Sequence, residues 1–201
     1  MQLHGRTALI LVDVQKSAEL GIDNGIPLMA GGPQRVERTR DVLEAARAAG
    51  VPPIFIQEVH KRTLVDLGRE LDGDEDVHCL EGDLATELAE GLDPTPDEYH
   101  IRKRRYSAFF ATELDLVLRS YGVETVVLLG GLTDVCVHYT FVDAHQRDYR
   151  CRVIVDCVGG SSVPAHDSAL EAMRYLQNDC WTSSGEVIEA FGALDASQAA
   201  V

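Results

Sequence analysis

Basic residues are scarce in this chain. Eighteen lysines and arginines stand against 33 aspartates and glutamates, a formal net charge of -15. Phosphate backbones and anionic lipid surfaces are bound through basic patches, so this balance argues against nucleic acid and membrane surfaces as partners. Long apolar runs are missing too. No stretch approaches the roughly 20 residues that span a bilayer, and the run from Ala8 to Val12 is too short for the core of a secretion signal. A cytoplasmic location is the expectation. The five cysteines (Cys79, Cys136, Cys151, Cys157, Cys180) are odd in number and contain no C-x-x-C pair, which speaks against a disulfide framework and a zinc knuckle alike. Neither G-x-G-x-x-G nor a P-loop follows the first apolar run, so the backbone cradle for a nucleotide phosphate is lacking. With no repeat and no interdomain linker, 201 residues that are 45% hydrophobic suit one well-cored domain over 1–201.

What the chain does have is an alternation of strand and helix patterns. Thr7 to Val12 is a continuous apolar run closed by Asp13, the pattern of a strand buried on both faces. A loop rich in glycine (Gly21, Gly25, Gly31, Gly32) leads to Pro33, which suits a helix start, and Val36, Val42, Leu43, Ala46 and Ala49 trace one face up to Gly50. Val51 to Ile56 reads as a second strand. From Gln57 to Glu98 the chain is irregular and acidic, with only Leu84 to Leu92 patterned as a short helix; long connections of this kind often serve as lids or binding loops. Tyr99 to Ile101 predicts a third strand, Thr112 to Tyr121 a helix, Thr125 to Leu129 a fourth strand and Cys151 to Val155 a fifth. A helix over Pro164 to Gln177, a short strand over Cys180 to Ser183 and a closing helix over Gly185 to Phe191 follow, with a frayed tail from Asp195 to Val201. Strands alternating with helices require a mostly parallel sheet covered on both faces. The expected fold is an α/β, doubly wound, six-stranded, Rossmann-like domain.

Ligands of such sheets bind beyond the carboxyl ends of the strands. Three reactive residues fall at such ends: Asp13, Lys103 and Cys136. Cys136 follows the Gly130-Gly131 pair and sits in the first turn of a predicted helix, where unpaired N–H groups and partial positive charge favour a thiolate. Taken singly, each has a plain reading, as a small buried hydrophobe, a turn cap or a solvated cation. Taken together they supply a nucleophile, a base for its proton and a cation to hold both charges. His138 lies two residues on and so faces away from Cys136 on a helix, which argues against a Cys-His dyad.

Three stretches, ALILVDVQ around Asp13, KRRYSAFFATELD from Lys103 and GGLTDVCVHYTFVDA around Cys136, resemble the isochorismatase-like cysteine hydrolases in order and spacing. That family includes nicotinamidases, N-carbamoylsarcosine amidases, ureidoacrylate amidohydrolases and biuret hydrolases. The resemblance implies its fold, an Asp13-Lys103-Cys136 triad, a cis bond between Gly131 and Leu132, and an oxyanion hole built from the N–H groups of Leu132 and Cys136. It implies a hydrolase that cleaves the C–N bond of a small amide or ureido compound through a thioester, releasing ammonia or an amine. Members that cleave the enol ether of isochorismate lack the cysteine, so Cys136 points to C–N cleavage. The resemblance also places Gln15 by the catalytic carboxylate or the substrate and implies a homo-oligomer, a dimer or tetramer; Gly131 is expected at the substrate, and Tyr106 and Phe109, next to Lys103, either wall the cavity or, for at least one of them, pack in the core. Arg104 and Arg105 either bind a substrate carboxylate or are solvated. Lys16-Ser17-Ala18 replaces the usual Asn-Asp-Phe at the pocket mouth and leaves the substrate open. Nicotinamidases bind a metal through an Asp-x-His step and a later His. Here Glu58, His60 and His78 stand in those places, without the Trp-His-Pro context; they form either a cation site or, as the plain alternative, a hydrogen-bonded pocket wall or an exposed loop. No cofactor is the main expectation, with a divalent metal and a metal-assisted nicotinamidase as the alternative. A catalytically silent binding or assembly protein on the same fold is the alternative of a different class.

Overall fold

Six segments become six parallel strands in this computed structural model, which describes residues 1–194. They are β1 (Arg6–Val12), β2 (Pro53–Glu58), β3 (Tyr99–Lys103), β4 (Val123–Gly131), β5 (Arg150–Gly159) and β6 (Trp181–Thr182), in the order β3-β2-β1-β4-β5-β6. Helices α1 (Lys16–Leu20), α2 (Gly32–Ala48), α3 (Leu114–Ser120), α4 (His138–Gln146), α5 (Val163–Leu176) and α6 (Ser184–Gly192) complete the fold. The tail expected to fray, from Asp195 on, lies outside the described residues.

Successive strand residues point to opposite faces, and both faces are covered. Leu9, Leu11, Phe55 and Leu129 pack with Val36 and Leu43 of α2 and Val187 and Phe191 of α6. Ile10, Val12, Ile56 and Leu128 pack with Leu114, Leu118, Phe141 and Met173 of α3, α4 and α5. Double coverage is the reason the strands read as unbroken apolar runs. Each such Leu or Ile contributes roughly 1.5–3 kcal/mol by leaving water.

The chain winds outward from β1 to β3, returns to β4, and continues to β6. The reversal lies between β1 and β4, so the crevice of a doubly wound sheet opens there. At this point the two strands approach too closely for any side chain. Gly130 has φ +114, and a Cβ on it would stand 1.9 Å from Val12 O.

Local pattern and structure part company in a few places. Leu84 to Leu92 is not a helix; only Leu84–Thr86 makes a single 3-10 turn. Tertiary pairing overrides the pattern, because Lys16 N–H donates to Glu87 O (2.8 Å) and Ala89 N–H to Val14 O (3.0 Å), fixing the segment beside the loop after β1. A helix this short is marginal without such help. That loop itself contains the unforeseen α1. Strands β3, β4 and β5 run further than expected, β3 as far as Lys103. The helix bearing Cys136 opens with a π turn, Thr133–Val137, closed by Val137 N–H donating to Leu132 O at 3.0 Å.

Candidate active site

Four neighbouring strands deliver four polar side chains to one point. Asp13 follows β1, Glu58 closes β2, Lys103 closes β3, and Cys136 lies in the π turn after β4. Asp13 turns the chain out of the sheet at φ +50, a left-handed conformation that Asp tolerates better than most residues. Its Oδ1 accepts from Glu58 N–H (2.6 Å), which fixes the carboxylate over the strand ends. Lys103 is 1% exposed, and its Nζ lies 2.6 Å from Glu58 Oε2, 2.8 Å from Asp13 Oδ2 and 3.3 Å from Cys136 Sγ. The thiol also donates to Glu58 Oε2 at 3.4 Å. Asp13 Oδ2 sits near the ammonium but outside hydrogen-bonding geometry, so this buried oxygen feels the positive charge while accepting no hydrogen bond. The bond between Gly131 and Leu132 is cis. The Leu132 N–H has no acceptor among the described residues.

Burial sets the proton affinities. Asp13 is pushed up to about 6 by desolvation, against the pull of Lys103. Burial alone would raise Glu58 as well, but Lys103, then His60 and His78, hold it well below the usual carboxylate range. Lys103 stays charged because Asp13, Cys136 and Glu58 outweigh its own desolvation. For Cys136 the structure corrects the sequence. Burial, with Glu58 and Asp13 beside it, overcomes Lys103 and drives the thiol well above its ordinary value. A helix N-terminus offers about 0.3–1 kcal/mol to a nearby anion, whereas burying an ion costs several kcal/mol. The resting cysteine is therefore a thiol.

Asp13, Glu58 and Cys136 line a cleft of about 740 Å³, its open mouth included, together with Gln15, Gly131 and Leu132. Gln15 is fully engaged within the protein: its Nε2 donates to Thr86 O (2.6 Å) and Glu58 O (3.1 Å). It shapes the floor of the cleft. Tyr106 stands at a neighbouring depression, stacked on Tyr139 and reaching Glu75 Oε2 at 3.5 Å. Of the two aromatics next to Lys103, Phe109 takes the core role and not the substrate wall: it is 6% exposed and stacked on Tyr149 under the Arg147 guanidinium. Arg104 and Arg105 neither bind in the cleft nor lie free. Arg104 pairs with Asp66 (2.8 Å) and Arg105 donates to Asp66 O (2.6 Å), tying down the loop beyond β2.

Glu58 faces two ways. Its Oε1 lies 3.2 Å from His60 Nε2 and 3.4 Å from His78 Nε2, and both imidazoles also approach Glu70 Oε2, at 3.2 and 3.6 Å. One donor atom from each of Glu58, His60, Glu70 and His78 falls within 4.8 Å of the others, all buried. Both Glu70 oxygens and His60 Nδ1 lack hydrogen-bond partners among the described residues. Desolvation would lower both histidines, but the negative carboxylates of Glu58 and Glu70 beside them raise His60 to about 9 and His78 to about 10. The donor set suits a divalent cation, and unsatisfied carboxylate oxygens fit a plain pocket wall poorly. Two features escaped the sequence. Glu58 touches Lys103 and Cys136 because β2 lies between β3 and β1, and strand order is not written in local pattern. Glu70 lies in an irregular acidic stretch with no periodicity to mark it as buried.

Comparison with known proteins places this geometry. The isochorismatase domain model matches residues 7–185. Ureidoacrylate amidohydrolase RutB of Pseudomonas savastanoi pv. phaseolicola is 34% identical over 174 residues, covering 76% of this chain and 70% of that one. RutB of Methylorubrum extorquens is 30% identical over 206 residues, covering 92% and 82%. Among solved structures, N-carbamoylsarcosine amidase from Thermoplasma acidophilum superposes with a TM-score of 0.73 at 27% identity, over 89% of this chain and 96% of that one. A match over most of the chain, on the fold and strand ends just described, means that the chain belongs to the isochorismatase domain family.

Proposed function

We propose that the protein is a cysteine-dependent amidohydrolase, a hydrolase of the C–N bond in a small linear amide or ureido compound, with Cys136 as nucleophile. The observation that carries this reading is the buried contact set itself: Sγ 3.3 Å from Lys103 Nζ, with Asp13 Oδ2 2.8 Å from the same ammonium.

Two carboxylates face the thiol, and their proton affinities decide between them. Glu58 accepts from the thiol at 3.4 Å but is held low, so it is a poor proton acceptor. Asp13, titrating at about 6 with a free oxygen, is ionised at neutral pH and basic enough to take the proton. As the S–C bond forms, the thiol proton passes to Asp13 and the carbonyl π electrons move to oxygen. The Leu132 and Cys136 N–H groups are the donors proposed for that oxyanion. Collapse breaks the C–N bond, and Asp13 returns the proton to the departing ammonia or amine. Water then gives a proton to Asp13 and attacks the thioester; the acid leaves, and the sulfur regains the proton. Lys103 stabilises the transient thiolate throughout, and Glu58 keeps Lys103 in place. The names of the similar proteins support the amide and ureido class.

Ammonia release across a panel of small amides and ureido compounds tests the reading. Turnover should fall to background in Cys136→Ala; residual turnover in that variant refutes it. Silence of the wild type across the panel favours a binding protein instead.

The Glu58, His60, Glu70 and His78 set supports a divalent cation at the cleft wall. When bound there, it would supply positive charge to orient a carbonyl or ring nitrogen of the substrate. Exposed Phe110, Leu116, Tyr139 and Tyr175, on the face built by α3 to α5, support a homo-oligomer. Light scattering tests this, and a monomer at micromolar concentration would refute it.

A further inference from the structure

Among the described residues, every lysine and arginine except Arg6 and Arg35 has a carboxylate oxygen within 4.0 Å. In a chain of net charge -15, an unpaired guanidinium is unexpected. Arg6 begins β1, at the opposite end of the sheet from the site, and donates to Tyr121 O. Arg35 lines the catalytic cleft.

Its position is built. Arg35 sits in the opening turns of α2, whose N-terminus carries no side-chain cap. Nη1 donates to Ala30 O (2.8 Å) and Nη2 to Met29 O (3.1 Å), which hold the guanidinium plane against the cleft wall. A guanidinium has five N–H donors, so three remain for a ligand. The group lies flat against Gly159, where a Cβ would come 2.5 Å from Nε and 2.6 Å from Cζ. Gly159 thus leaves the space that Arg35 fills. Burial, with Arg38 nearby, pulls its pKa below the usual guanidinium range, as expected for a cation short of a partner. Of the acidic residues lining the cleft, Asp13 and Glu58 face Lys103 and Glu75 is directed to His78 and Tyr106.

The sheet register then sets the length of a ligand that reaches both groups. Gly159 pairs with Gly131, the residue before Leu132. Neighbouring strands lie about 4.8 Å apart, so the guanidinium stands one strand spacing and one contact from the peptide proposed to hold the oxyanion. That gap is bridged by a carbonyl, a nitrogen and one or two carbons ending in a carboxylate. We propose that Arg35 reads the carboxylate of the substrate, and that the substrate is a short N-carbamoyl or ureido acid rather than a neutral amide. The proposal rests on the amidohydrolase reading and adds to it the substrate's charge and the residue that recognises it.

The test compares N-carbamoylglycine and N-carbamoyl-β-alanine with their carboxamides, in wild type, Arg35→Gln and Arg35→Lys. The quantity read is the ratio of kcat/KM for acid to that for carboxamide. It should favour the acid in the wild type and fall about 10- to 100-fold in Arg35→Gln, the span of lost charge-assisted hydrogen bonds. The fall should come through KM, with partial recovery in Arg35→Lys. If both substrates decline together and the ratio holds, Arg35 is only a clamp for residues 29 and 30, and the proposal is overturned. A wild type indifferent to charge overturns it too. Turnover of no compound would sink the amidohydrolase reading instead. In that event calorimetric titration of Cys136→Ala with N-carbamoyl-β-alanine decides on Arg35. Binding that disappears in Cys136→Ala/Arg35→Gln supports the proposal, and absence of binding overturns it.

Discussion

Replacing Lys103 with Met keeps an unbranched chain of similar length and removes only the buried charge. The side chain is inaccessible, and its Nζ neutralises two carboxylates at 2.6 and 2.8 Å. Removing one partner of a buried ion pair costs about 3–5 kcal/mol, because the remaining charge is stranded in a poor solvent. The stranded pair can relieve itself by binding a proton, and Asp13, at about 6 with Lys103 present, is the group to take it. Without the ammonium its pKa rises further. A carboxylate whose folded pKa exceeds its unfolded value gains stability as pH falls, so the penalty of Lys103→Met should be smallest near pH 5. Above pH 6 the gap from wild type should widen by about 1.4 kcal/mol per pH unit until the new pKa is passed. A loss of about 3 kcal/mol corresponds to roughly 6–12 °C in Tm for a chain of this size. Urea unfolding of both proteins at pH 5, 6, 7 and 8 measures this directly. Activity should fall at least about 100-fold at neutral pH, since a protonated Asp13 takes no proton from the thiol. A pH-independent stability loss, or near-normal turnover, would refute the assigned charge balance.

Further outcomes follow from the same geometry. The acid limb of kcat/KM should lie near pH 6, with activity lost below it as Asp13 protonates, and no alkaline limb near pH 8 should come from the high thiol; a limb near 4 would mean an unperturbed carboxylate. Gly130→Ala places a Cβ 1.9 Å from Val12 O at φ +114 and should cost about 3 kcal/mol or more. Gly73→Ala, with open space around it, should stay within about 0.5 kcal/mol; equal effects in urea unfolding would contradict the close approach of β1 and β4. Zinc or manganese added to chelator-treated protein should raise Tm, by about 2.7 kcal/mol of stabilisation at a hundredfold excess over Kd. The shift should vanish in Glu70→Gln/His78→Ala, and a shift that survives there assigns the ion elsewhere.

Much of this molecule is readable in its sequence, for identifiable reasons. Strands covered on both faces leave continuous apolar runs, so Thr7 to Val12 and Thr125 to Leu129 announce themselves, and the helix breaks at Gly50 and Gly122 bound the segments between. Asp13, Lys103 and Cys136 stand out because each falls at or just past the carboxyl end of a strand pattern. What was hidden depends on tertiary neighbours. The run from Leu84 is helical in pattern but folds as a single 3-10 turn followed by irregular chain, because residues 14 and 16 offer it backbone partners. The direction of the Cys136 shift depended on burial and on Glu58, which the order of strands brings beside it. In the sequence Arg35 is one cation among eighteen; its lack of a carboxylate partner is a property of the fold.

The central claim is that Cys136 carries the substrate's acyl or carbamoyl group during turnover. Rapid quenching of the enzyme with a turned-over ureido substrate, followed by mass spectrometry of its peptides, tests it most directly. The account predicts a transient mass increase confined to the peptide that contains Cys136, absent in Cys136→Ala and prolonged in variants that slow attack by water. Full turnover with no adduct on that peptide, at quench times shorter than one catalytic cycle, would contradict covalent catalysis by Cys136.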